Sequence, residues 1–262
     1  MNANEAPRTD SRSELPRNSF AARMAMLSDA RLYLCTDARA DKGDLREFLH
    51  ACYEGGTDII QLRDKKIDTR DEIAALEILR EVAAEHGKLF AVNDRADIAA
   101  LVGADILHLG QEDLTPQQAR QIVGDDMLIG RSNRNMDMFI ASLTDEAIDY
   151  AVIGPVWATP TKPDRAPVGI DTVREAAGLV RQLRAQGSAE SHQHSVSEIT
   201  NPHGVAGGDV VKPWWAIGGI DLEHVGEVIS AGAERIVVVR ALTQADNPEQ
   251  AAAALRAAVA KN

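Results

Sequence analysis

Eight short apolar segments recur along this chain, each followed by a stretch of helical periodicity, and that rhythm leaves few folds open. The segments expected as strands are Leu32–Thr36, Asp58–Leu62, Leu89–Asn93, Ile106–Leu109, Met127–Gly130, Tyr150–Gly154, Trp214–Gly218 and Arg235–Arg240. They are mostly aliphatic and lack polar alternation, as befits strands covered on both faces. The helices expected between them are Leu45–Tyr53, Thr69–His86, Asp97–Val102, Pro116–Val123, Met136–Thr144, Thr172–Gln186 and Leu222–Ser230, with Pro248–Lys261 last. Asp44, Thr115 and Asp246 or Asn247 are read as N-caps, and Gly87 as a C-cap. Strands alternating with helices imply a parallel sheet. Eight units favour a closed (β/α)8 TIM barrel of the α/β class over an open doubly wound sheet, and no GxGxxG follows the first strand. The 262 residues suit one such barrel, which typically takes about 250.

The expected organisation is a disordered tail over residues 1–18, a short helix from Ser19 to Ser28, and one barrel domain over 19–262. One segment breaks the rhythm. Gly187–Val211 is polar, Gly/Ser-rich and long for a helix-to-strand connection, and reads as an insertion between the sixth helix and the seventh strand. Its His192, His194 and His203 suggest a metal site only weakly, since flexible tracts seldom pre-organise ligands.

The net charge of −12 argues against nucleic-acid binding, which needs a basic footprint. It also makes a local basic cluster more informative. Cys35 and Cys52 lack metal-ligand spacing and read as buried thiols. The start has no apolar leader and no stretch reaches membrane-spanning length, so a cytoplasmic protein without membrane contact is expected.

In such barrels the chemistry lies on the loops that follow the strands. The second strand runs into Gln61, Leu62, Arg63, Asp64 and Lys65; the third ends in Asn93 and Asp94; the fourth leads through His108 and Gln111 to Asp113. Arg63 offers a planar fork to phosphate oxygens and Lys65 a mobile point charge. Lys66 is expected to face solvent. Asp94 and Asp113 suit Mg2+, which is usually held by one or two carboxylates plus phosphate oxygens and water. Separately, each aspartate is equally well explained by the helix that follows it: a cap for Asp94, a first-turn acid for Asp113. Together, beside QLRDK, they point to a magnesium-bound diphosphate. The fifth strand adds Arg131 and Ser132, and the long loop after the sixth, GPVWATPTKPD, adds Thr159, Pro160, Thr161 and Lys162 as a candidate lid. Gly218 and Gly219, with Val239 and Arg240, fall on the loops where this architecture usually binds a phosphate.

These residues resemble the thiamine-phosphate synthase family. QLRDK, VND, HLGQED, IGRSNRN, VIGPVWATPTK, AIGGI and VVVRAL occur in the family's order across residues 61–242. The resemblance implies two small-molecule substrates, a pyrimidinylmethyl diphosphate and a thiazole monophosphate, joined with release of pyrophosphate. It implies that Gln61 to Lys65 and Asn93 meet the pyrimidine diphosphate, and that Asp94 and Asp113 bind Mg2+. Ser132 would lie by the pyrimidine and Lys162 by the diphosphate, with Arg63, Lys65, Lys162 and Ser132 as the catalytic set. Thr159 to Thr161, Gly219, Val239 and Arg240 would hold the thiazole phosphate. Arg240 departs from the pattern, because many relatives carry serine there. Two other readings stand beside this one: a thiazole tautomerase with His108 as acid or base, and a non-catalytic phospholigand-binding barrel. A homo-oligomer is left open.

Overall fold

A computed structural model describes residues 19–160, 165–190 and 211–260. The tail 1–18, Thr161 and Lys162 in the lid, the three insertion histidines and most of that insertion lie outside the described residues.

Eight parallel strands close into a barrel in sequence order. They are β1 (Leu32–Thr36), β2 (Ile59–Leu62), β3 (Leu89–Asn93), β4 (Ile106–Leu109), β5 (Leu128–Asn133), β6 (Tyr150–Ile153), β7 (Trp214–Ile217) and β8 (Ile236–Val238). The helices are α1 (Phe20–Asp29), α2 (Leu45–Glu54), α3 (Thr69–Glu85), α4 (Ala96–Val102), α5 (Pro116–Val123), α6 (Met136–Thr144), α7 (Ile170–Glu190), α8 (Val225–Ser230), α9 (Arg240–Thr243) and α10 (Pro248–Val259). The expected barrel is therefore present, with three adjustments. Helix α7 continues to Glu190, four residues into the stretch read as an insertion. The short α9 begins where β8 was expected to end. Asp44 makes no cap bond, because its carboxylate is gripped by Arg39 at 2.6 and 2.7 Å.

Two apolar layers follow from the two-residue period of the strands. One alternate set, including Leu34, Ile60, Leu62, Val92, Leu107 and Ile129, packs outward against the helices. The other, including Tyr33, Ile59, Leu89, Ile106, Leu128, Tyr150 and Trp215, fills the barrel. Helix α1 joins this inner layer through Leu27, and Arg23 ties it down at 2.9 Å from Asp105 and 2.8 Å from the Asp126 carbonyl. The strand ends that precede the helices, opposite this tie, are left to form the site.

Gly178 lies within α7 with open space where a Cβ would stand. Gly178→Ala is expected to stabilise the fold by about 0.5–1 kcal/mol, since alanine loses less backbone entropy in a helix. A higher urea midpoint with an unchanged slope is the expected reading; a lower midpoint would contradict the open environment.

Candidate active site

Along the inner face, apolar side chains give way to polar ones at the strand ends. Gln61, Asn93, His108 and Ser132 occupy this layer, Gln61 and His108 being almost fully buried. Above it opens a cleft of about 820 Å3 whose lining includes Gln61, Arg63, Asp64, Lys65, Asn93, Ser132, Pro160, Val239 and Arg240. Lys66, expected to face solvent, is exposed but also borders this cleft. Leu62 goes the other way: it is 1% exposed and packed between sheet and helices, so its side chain is closed to a substrate. Asp64 borders the cleft while accepting the backbone N–H groups of Ala38 (3.3 Å) and Lys66 (2.9 Å), which holds the loops after β1 and β2 together.

Asp94 follows β3 in the left-handed region, with φ 60°. Such a conformation is costly for a residue other than glycine and clusters at functional sites. It is fixed by Asp94 N–H donating to the His108 carbonyl (2.9 Å) and Arg95 N–H donating to the Asn93 carbonyl (2.6 Å). Arg95, not Asp94, occupies the cap position of α4, and Asp113 precedes α5 without entering it. Both helix-based explanations of these aspartates are thereby weakened.

Asp94 and Asp113 influence one another's ionisation, Lys65 Nζ lies 3.0 Å from Asp94, and Asp113 accepts the Gly110 N–H at 2.7 Å. Burial pushes Asp94 up, but the contacts from Asp113, Lys65 and Asn93 outweigh it and hold the carboxyl below its usual range. Burial and the neighbouring Asp94 push Asp113 up. Two acids crowded together beside a lysine form a donor set that suits a hard divalent cation completed by phosphate and water. Among the described residues no group of three or more His, Cys, Asp or Glu could hold a metal alone.

A second cavity of about 250 Å3 lies beside the first, its lining including Thr159, Arg165, Gly218, Gly219 and Asp221. Ser132, Ile217, Val237, Val239 and Arg240 border both cavities. Gly218 and Gly219 have φ of 105° and 73°, and a Cβ on them would meet Pro155 at 2.4 Å and Trp157 at 2.8 Å. The glycine pair thus lets the loop after β6 pack against the backbone after β7, in addition to leaving the cavity open.

Sequence reasoning missed Arg165, Tyr33 and Tyr150. Arg165 sits four residues beyond Thr161 in a proline-rich loop with no periodicity to betray its direction. Tyr33 and Tyr150 sit in apolar strands and read as core; the inward parity that they share with Cys35 and Val152 was the only signal.

Comparison with known proteins places these features in a family. A family model described as thiamine monophosphate synthase matches residues 32–242. The chain is 51% identical over 230 residues to the thiamine-phosphate synthase of Thermobifida fusca, covering 88% of this chain and 92% of that one. It is 49% identical over 242 residues to the thiamine-phosphate synthase of Mycobacterium tuberculosis, covering 89% and 96%. Among solved structures, a thiamine phosphate pyrophosphorylase from Pyrococcus furiosus superposes with a TM-score of 0.69 at 27% identity, covering 91% of this chain and 98% of that one.

Proposed function

The chain belongs to the thiamine monophosphate synthase family, and on that premise we propose that it condenses 4-amino-2-methyl-5-(diphosphooxymethyl)pyrimidine with a thiazole monophosphate. The products are thiamine phosphate and pyrophosphate, which makes the enzyme a transferase acting on small molecules, and we assign it to the cytoplasm. The observation that carries this reading is the pair of cavities that meet at Ser132, Val239 and Arg240. A condensation needs two substrates held with their reacting atoms adjacent, and adjacency alone can supply much of the rate.

The thiazole nitrogen carries a free lone pair, so no activated side-chain nucleophile is required. The demanding step is breaking the C–O bond to diphosphate. Arg63 and Lys65 on the cleft wall would gather the departing charge, and Gln61 and Asn93 would orient the pyrimidine. Asp94 and Asp113 would hold Mg2+, which when bound supplies charge neutralisation at the phosphate oxygens. Lys162, outside the described residues, is assigned to the same diphosphate from its place in the TPTK motif. Gly219, Thr159 and Arg240 border the smaller cavity and would receive the thiazole phosphate, with Arg240 contributing charge where serine contributes a hydroxyl. Thr161, also outside the described residues, is placed with them by the same motif.

Formation of thiamine phosphate from the two substrates, followed by its oxidation to a fluorescent thiochrome, tests the reaction. Absence of product, with the thiazole isomerised instead, would favour a tautomerase. Gly219→Ala serves as a test of the smaller cavity. The added Cβ meets Trp157 and the φ of 73° disfavours alanine, so the KM for the thiazole phosphate is expected to rise about tenfold or more, in line with strain of about 1–3 kcal/mol. The KM for the pyrimidine should stay within about twofold. The opposite pattern would exchange the two assignments.

A further inference from the structure

Asn93 and Ser132 are joined by a hydrogen-bonded chain through the barrel. Gln61 Nε2 lies 2.9 Å from Asn93 Oδ1, and Gln61 Oε1 lies 3.0 Å from the Tyr33 hydroxyl. Tyr33 meets the Tyr150 hydroxyl at 3.1 Å, Tyr150 meets His108 Nδ1 at 2.9 Å, and His108 Nε2 meets Ser132 Oγ at 2.8 Å. The residues come from β1 to β6, and the last link, Ser132, borders the cleft. Gly130 makes the chain sterically feasible, since a Cβ there would stand 1.9 Å from Tyr150 Cζ.

The direction of every bond follows from counting hydrogens. Asn93 turns its amide oxygen to Gln61, and an amide oxygen only accepts. Gln61 therefore spends an N–H on Asn93 and turns its oxygen to Tyr33. Burial pushes both tyrosine hydroxyls well above their ordinary range, so each keeps its single hydrogen. Tyr33 donates that hydrogen to Gln61 and must accept from Tyr150. Tyr150, having given its own hydrogen to Tyr33, must accept from His108. The ring hydrogen is thus on Nδ1, Nε2 is left as an acceptor, and Ser132 donates to it. What Ser132 Oγ presents to the cleft is lone pairs.

We propose that Tyr150 and His108 are positioning residues that fix Ser132 as a hydrogen-bond acceptor toward the cleft, selecting a pyrimidine that bears an N–H donor there over one that bears a carbonyl. The proposal rests on the pyrimidine reading of the cleft. In the 4-amino ring, the exocyclic amine supplies the donor; a 4-oxo ring would set a carbonyl oxygen against the Ser132 lone pairs, a mismatch that costs as much as a buried unmade hydrogen bond.

Two measurements decide it. The first uses the wild-type protein without substrate: a long-range 1H–15N spectrum of 15N-histidine-labelled protein at mildly alkaline pH, with the His108 signals assigned by their absence in His108→Gln. The neutral Nδ1–H tautomer is expected; an Nε2–H or doubly protonated ring overturns the proposal. The second is calorimetric affinity, with Mg2+ present, for the 4-amino pyrimidine diphosphate and for its 4-oxo analogue, in wild type and in Tyr150→Phe. Wild type should prefer the amino compound, and Tyr150→Phe should lose about tenfold of that preference. Equal weakening of both ligands would leave Tyr150 a purely structural role and overturn the proposal. Failure of wild type to bind either pyrimidine would overturn the reading of the cleft and the selectivity with it, whereas the tautomer is decided by the spectrum alone.

Discussion

Asp113→Ala is expected to lose turnover by about 10²-fold or more while the protein stays folded. The activity loss follows from removing one of two carboxylates assigned to the ion that neutralises the leaving diphosphate, a contribution of several kcal/mol. Stability should change little. Asp113 is half-buried, accepts one backbone N–H from Gly110, and crowds Asp94. Losing the hydrogen bond costs about 1 kcal/mol, and removing the carboxylate that pushes against Asp94 offsets part of it. Asp113→Asn is the sharper variant, because an amide oxygen can still accept from Gly110 while the charge is gone. Both variants should melt within a few degrees of wild type and need far more Mg2+ for any residual rate. Full activity in either would remove Asp113 from the metal assignment.

Gly130→Ala should have the largest effect on stability of any methyl added on the inner strands. The new Cβ would stand 1.9 Å from Tyr150 Cζ and 2.4 Å from its hydroxyl oxygen. Tyr150 is fully buried against Tyr33 and Trp215, their ring centroids 6.2 and 5.2 Å away, and cannot swing aside. Overpacking typically costs about 1–3 kcal/mol and occasionally more. For a chain of this size that is a fall in melting temperature of about 2–12 °C. The variant should also lose activity, because displacing Tyr150 breaks the chain leading to Ser132. Double replacement with Tyr150→Phe would recover little space, since the clash is with ring carbons as well as the hydroxyl. A melting temperature equal to wild type would show that the ring has somewhere else to go.

The barrel was legible because eight doubly covered strands leave a simple mark: short aliphatic runs separated by amphipathic stretches. The basic and acidic strand ends were legible because polar side chains at the ends of buried strands are conspicuous there. Direction was harder. Leu62 stands among the polar residues of QLRDK, yet strand parity sends it outward, and Lys66 is exposed as expected while also bordering the cleft. Asp44 stands at the cap position of α2 as expected, but its carboxylate goes to the guanidinium of Arg39, whose left-handed backbone composition does not reveal. The same holds for Asp94, whose φ of 60° aims a carboxylate in a way no propensity would suggest. Tyr33 and Tyr150 look like core residues in sequence and are core residues in space; only the hydrogen bonds between their hydroxyls give them a further role.

The central claim is a two-substrate condensation without a hydrolytic water, and pyrophosphate release with systematic omission tests it most directly. With both substrates and Mg2+, pyrophosphate and thiamine phosphate should appear in equal amounts. Removing Mg2+ or the thiazole phosphate should abolish most of the release. Release from the pyrimidine diphosphate alone at the full rate would mean that water is the acceptor and would contradict the account, as would no release when both substrates are present.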